Sequence, residues 1–145
     1  MSPKWLTVLV RARKAQEDVA QQHLARAEHA VRRTQARVRY DEERLDLLSA
    51  ADADLHAASF IASAVALQAA AATLAATVDA ARDASHHASQ RRSSLHHAAR
   101  ARHTAEELND RAAVLDRIAE AAAIQREHDE VAARVHRLTP RKRTS

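Results

Sequence analysis

Histidine is the residue type here most able to do chemistry: the chain carries ten, with adjacent pairs at His86-His87 and His96-His97. A helical metal site needs imidazoles one turn apart, at i and i+4, with a carboxylate to complete the ligand set. No two histidines in this chain have that spacing, and neighbouring residues on a helix point about 100° apart. The pairs read as solvated side chains, and no metal is expected. His128-Asp129-Glu130 brings an imidazole beside two carboxylates, the residue types of acid–base work. Arg126 and Arg134 lie within about one turn of them, so ion pairing on a helix surface accounts for the cluster. There is no Gly-rich phosphate loop and no nucleophile elbow, and cysteine is absent. No catalytic residue and no cofactor are expected, and the chain reads as a non-enzyme.

Arginine and lysine offer a second kind of chemistry. Arg11-Ala-Arg13-Lys14, Arg32-Arg33, Arg91-Arg92 and Arg141-Lys142-Arg143 could meet phosphates, and the formal charge is +4. Acidic residues interleave with most of these clusters, and aromatic residues, the stacking platforms of single-strand binders, make up only 2% of the chain. Solvated flanks of a coiled coil explain them better. A basic coiled coil associated with nucleic acid, or another scaffold, is the alternative reading of function.

The elements that carry these residues must be helices. The sequence has no Gly, only Pro3 and Pro140, and a wealth of Ala, Leu, Arg, Glu and Gln. Ser2 can cap a helix with Pro3 at its first position, and Pro140 disfavours helix at Thr139. Leu24, Val31, Val38 and Leu45 recur every seven residues, with Ala20, Ala27, Thr34 and Leu48 on a companion row that Asp41 interrupts. A second series runs Phe60, Leu67, Leu74, Ala81, Ala88, Leu95. Leu108, Leu115 and Ala122 form a third row, and Ile124, Val131 and Leu138 a shifted one, which predicts stutters in the seam.

The heptad phase breaks between Ser49 and Ser59, where Asp52, Asp54 or Ser59 could cap a new helix. The expected fold class is all-α: a long two-helix antiparallel coiled coil, an α-hairpin whose second helix is longer than the first. One domain spans 1–145, with helix one at about 4–50, a connection at about 51–59, helix two at about 60–138 and a basic tail at 139–145. A single rod dimerising in trans is the structural rival. The longer helix should overhang its partner, leaving Leu108, Leu115, Ile118 and Ile124 uncovered, or fold back near Ser93-Ser94 or Asn109.

Charge is unevenly spread. Residues 1–48 hold ten basic and seven acidic side chains, 99–145 hold ten and eight, and 49–98 hold three and four. A hairpin would gather the charged segments at one end and the Ala-rich segment at the other, giving two classes of contact. The apolar N-terminal stretch is too short for a signal peptide. The uncharged stretch Leu55 to Val78 owes its apolarity to alanine, which contributes little to membrane insertion. A cytoplasmic location is expected.

The opening Trp5-Leu-Thr-Val-Leu-Val-Arg-Ala-Arg-Lys-Ala-Gln-Glu-Asp-Val-Ala, then Leu24-Ala-Arg-Ala, resembles the start of the flagellar export chaperone FliJ family. Gln125-Arg-Glu-His-Asp-Glu-Val-Ala-Ala-Arg134 resembles its closing motif, and the likeness covers nearly the whole chain. The resemblance implies a soluble, stalk-like coiled coil of the flagellar type III export apparatus, peripheral at the inner face of the cell membrane. Implied partners are the hexameric export ATPase, the cytoplasmic domain of the export-gate membrane protein, and substrate chaperones. Implied ATPase contacts are Leu6, Leu9, Arg13, Gln16, Glu17, Arg126, Asp129, Glu130 and Arg134. Implied gate contacts are Leu67, Leu74, Val78 and Ala81, where the family often carries an aromatic and a polar residue.

Overall fold

The computed structural model describes residues 3–51 and 57–138. Two helices account for them: α1, Lys4–Ala51, and α2, Ala57–Leu138. No strand is found among the described residues. Pro3 stands just outside α1 and its carbonyl accepts from the Leu6 amide at 2.9 Å, so the ring's missing N–H costs nothing at this terminus. Ser2, the candidate capping residues Asp52 and Asp54, most of the expected connection, and the basic tail lie outside the described residues. Ser59 lies inside α2 and caps nothing.

α2 runs through Ser93-Ser94 and Asn109 without a break, so of the two courses expected for this segment, overhang or fold-back, the fold-back is absent. Nothing in that stretch could force one: it holds neither Gly nor Pro, and the Ser94 hydroxyl donates back to the Gln90 carbonyl at 3.1 Å. The chain divides into two compact units, Met1–Lys14 with Ala101–Ser145, and Ala15–Arg100.

The second of these units is an antiparallel helix pair. Glu28 of α1 reaches Arg92 of α2, whereas Val38, ten residues on, shares a groove with Val78 and Ala81. On α1 every predicted seam residue is at least half-buried: Ala20, Leu24, Ala27, Val31, Thr34, Val38, Leu45 and Leu48. Asp41 does not interrupt the row. It occupies the seam position itself and is 2% exposed. On α2 the covered positions follow an unbroken 3–4 alternation through Leu67, Ala70, Leu74, Thr77, Ala81, Ala84, Ala88, Arg91, Leu95 and Ala98. Phe60, placed in that row by its spacing, is 56% exposed.

The other unit departs further from the sequence reading. Its seam is made by Leu6, Leu9, Val10 and Arg13 of α1 against a row that includes Arg102, Ala105, Asn109, Ala112 and Asp116 of α2. That row keeps one heptad spacing, and no stutter shifts it. Leu108, Leu115 and Ala122 lie on the exposed face instead. Small residues such as Ala105 let the helices approach closely, and Arg102 can cover the seam edge with its stem while its charge reaches outward. Arg102 also holds Glu106 at 2.6 Å one turn on. Beyond Ile118 every described residue of α2 is exposed, so residues 119–138 have no helix against them within this unit.

Candidate docking surfaces

Three polar residues in the Ala15–Arg100 seam show how the pair tolerates polarity. Thr34 donates to the Ala30 and Val31 carbonyls at 2.9 and 3.0 Å, and Thr77 donates to the Leu74 carbonyl at 2.9 Å. Their hydroxyls are satisfied locally. Asp41 has no such local outlet. The Arg37 Nε stands 3.3 Å from one carboxylate oxygen, an ion-pair distance, but both oxygens lack an aligned hydrogen bond. Arg37 is itself half-exposed, with its guanidinium carbon 5.1 Å from the centre of the Tyr40 ring. A buried carboxylate with one poorly aligned partner destabilises the pairing around it.

Beside the seam, two shallow grooves adjoin along one flank and share Ser85. Val38, Arg39, Val78, Ala81 and Arg82 line the first. Glu28, Val31, Arg32, Ala88 and Arg92 line the second. A third groove, in the unit containing both termini, is lined by Leu9, Arg13, Ala101, Thr104, Ala105 and Leu108. None has the enclosing walls, or the converging carboxylate, imidazole or hydroxyl groups, that chemistry on a small molecule requires. No group of three or more metal-capable side chains is found among the described residues.

Of the residues that resemblance offers for ATPase contact, Leu9 and Arg13 share the third groove. Leu6 is 5% exposed and belongs to the helix–helix contact. Gln16 is exposed and Glu17 half-buried, and both fall in the Ala15–Arg100 unit. Arg126, Asp129, Glu130 and Arg134 are all exposed on the bare end of α2, where Asp129 accepts from Gln125 at 3.0 Å. Arg126, Glu130 and Arg134 form a one-turn ladder of alternating charge. The four residues offered for gate contact, Leu67, Leu74, Val78 and Ala81, are half-buried in or beside the seam. The outward apolar side chains of the same stretch are Phe60, Ile61 and Val65, at 56%, 69% and 61% exposure. Spacing alone did not single out Ile61 and Val65, because they belong to no heptad row. Their direction follows only once the seam is known. An 18-residue window of α2 has mean hydropathy 1.7, enough to cross a membrane by length and composition alone.

The family described as "Flagellar FliJ protein" matches residues 3–141. No curated protein and no solved structure matches the chain. The family is a non-catalytic one of flagellar export. With a match over nearly its whole length, this two-helix hairpin belongs to the FliJ flagellar protein family.

Proposed function

We propose that this chain is the stalk-like coupling rod of flagellar type III export, bridging the hexameric export ATPase and the export gate and escorting unloaded substrate chaperones. The observation that carries the reading is the bare end of α2: twenty consecutive helical residues, 119–138, all exposed, with Ile124, Val131, Val135 and Leu138 uncovered. A helix that keeps four large apolar side chains in water is built to be covered by something else. In this reading the mixed-charge ladder of Arg126, Glu130 and Arg134, with Asp129 beside it, meets the polar lining of the ATPase ring. Leu9 and Arg13 contribute from the neighbouring groove, with Gln16 and Glu17 further along α1. Leu6 acts by holding the helices together. The gate meets the early part of α2, where Leu67, Leu74, Val78 and Ala81 set the seam and Phe60, Ile61 and Val65 present the outward face. The rod hydrolyses nothing; it transmits nucleotide-driven changes in the ring to the gate. Its place is cytoplasmic, peripheral at the inner face of the membrane.

The test is ATP turnover by the purified hexameric export ATPase with and without this chain. Stimulation and co-elution are expected, and Ile124→Ser with Val131→Ser should remove both while leaving the helix content of the seam intact. No stimulation and no co-elution by the unmodified chain would end the coupling reading.

A further inference from the structure

The flank bearing the two adjoining grooves of the Ala15–Arg100 unit has arginine edges that the export reading does not use, although that reading gives Val78 and Ala81 of its floor to the gate contact. Its floor is apolar: Val31 and Val38 from α1, with Val78, Ala81 and Ala88 from α2. Four arginines edge it, Arg32 and Arg39 on one side and Arg82 and Arg92 on the other, against one groove-lining carboxylate, Glu28. Arg92 stands 3.7 Å from Glu28, and Arg82 stands 3.8 Å from Asp79. These are loose pairs between exposed side chains, worth little to either partner. Arg32 and Arg39 make no ion pair among the described residues. An apolar trough between two parallel arginine rows is the imprint of a third helix whose seam residues are apolar and whose flanks are acidic.

We propose that this trough is a docking site for an acidic amphipathic helix of a partner protein, which completes a local three-helix bundle. Apolar side chains of the incoming helix cover Val38, Val78 and Ala81, and its flanking carboxylates meet Arg32, Arg39 and Arg82. Arginine suits the task, since its planar fork holds a carboxylate by two hydrogen bonds at once. Arg33 and Arg44, both exposed, line neither of the two grooves. The site shares Val78 and Ala81 with the gate contact proposed above, and its test uses neither the ATPase nor the gate, so the two readings can fail separately.

The probe is a fluorescein-labelled synthetic heptad peptide with Leu at both seam positions and Glu at both flanking positions, read by anisotropy against the full chain. Glu at both flanks keeps the peptide from pairing with itself. A matched peptide with Lys in place of Glu is the comparison. The Glu peptide should bind more tightly than the Lys peptide by roughly tenfold or more at low salt. Arg32→Glu, Arg39→Glu and Arg82→Glu together should reverse that preference, while Arg33→Glu with Arg44→Glu should shift it less than about twofold. These positions are exposed or on the groove edge, and circular dichroism checks that each variant keeps its helix content. Equal binding of the two peptides, or a preference that survives the triple reversal, would overturn the proposal. So would a concentration-dependent rise in mass of the chain alone that the triple reversal abolishes, since the occupant would then be a second copy.

Discussion

Two stretches of α2 are widely exposed for different reasons. From Ser59 to Val78 one face of the helix is covered by the seam through Leu67, Ala70, Leu74 and Thr77, and the outward face is uncharged. From residue 119 to 138 no face is covered, and charge is dense, with Glu120, Arg126, Glu127, Asp129, Glu130, Arg134 and Arg137. The first stretch is held in place by packing, so its surface can be smooth and apolar. The second has only helix propensity and one-turn pairs such as Gln125 with Asp129 to hold it. Exposure alone therefore does not say whether a helix face is structurally idle. What lies behind it does.

Four measurements would break or sharpen this contrast. The largest effect is expected from Ala70→Glu, which puts a charge at a seam position that is 7% exposed. It should cost about 3 kcal/mol in thermal or urea unfolding. Ala122→Glu, the same change on the bare end, should stay within about 0.5 kcal/mol. Equal costs would mean the seam is not where stability resides. Next, Asp41→Leu should raise stability by roughly 1–3 kcal/mol, because it removes a buried carboxylate that has one misaligned partner. A loss of stability would show that the Arg37 contact is net favourable. Third, amide exchange should be at least about a hundredfold slower at residues 63–98 than at 119–138, where the helix opens without breaking the seam. Comparable protection would mean the bare end is covered after all, for example by a second copy. Smallest, Gln125→Ala should change the stability of the bare helix end by less than about 0.3 kcal/mol, because alanine's higher helix propensity offsets the lost Asp129 contact, and leave the main unfolding transition unmoved.

The sequence announced the hairpin plainly wherever large apolar residues recur at heptad spacing. Leu24, Val31, Val38 and Leu45 define the α1 seam, and Leu67, Leu74 and Leu95 the α2 seam, because burial selects large apolar side chains there. Where the seam is built from Arg102, Ala105, Asn109, Ala112 and Asp116, hydropathy carries no signal, and the eye follows Leu108 and Leu115 to the wrong face. Asp41 misled in the opposite sense: a carboxylate reads as an interruption, yet the backbone carries it into the seam with its neighbours. The grooves were half visible. Arg32-Arg33 and Arg91-Arg92 stood out as basic clusters, but that Arg32 and Arg92 edge the same trough depends on the register between the helices.

The uncovered end of α2 has a kinetic consequence. A segment that is already helical before it meets its partner need not order its backbone during the encounter, so little conformational entropy is lost at that step. Its association should follow a single concentration-dependent phase whose rate is limited by orientation, without a slower concentration-independent step behind it. Salt should act mainly on the forward rate, since the charges along that surface steer approach, whereas removing Ile124 or Val131 should act mainly on how long the complex lasts.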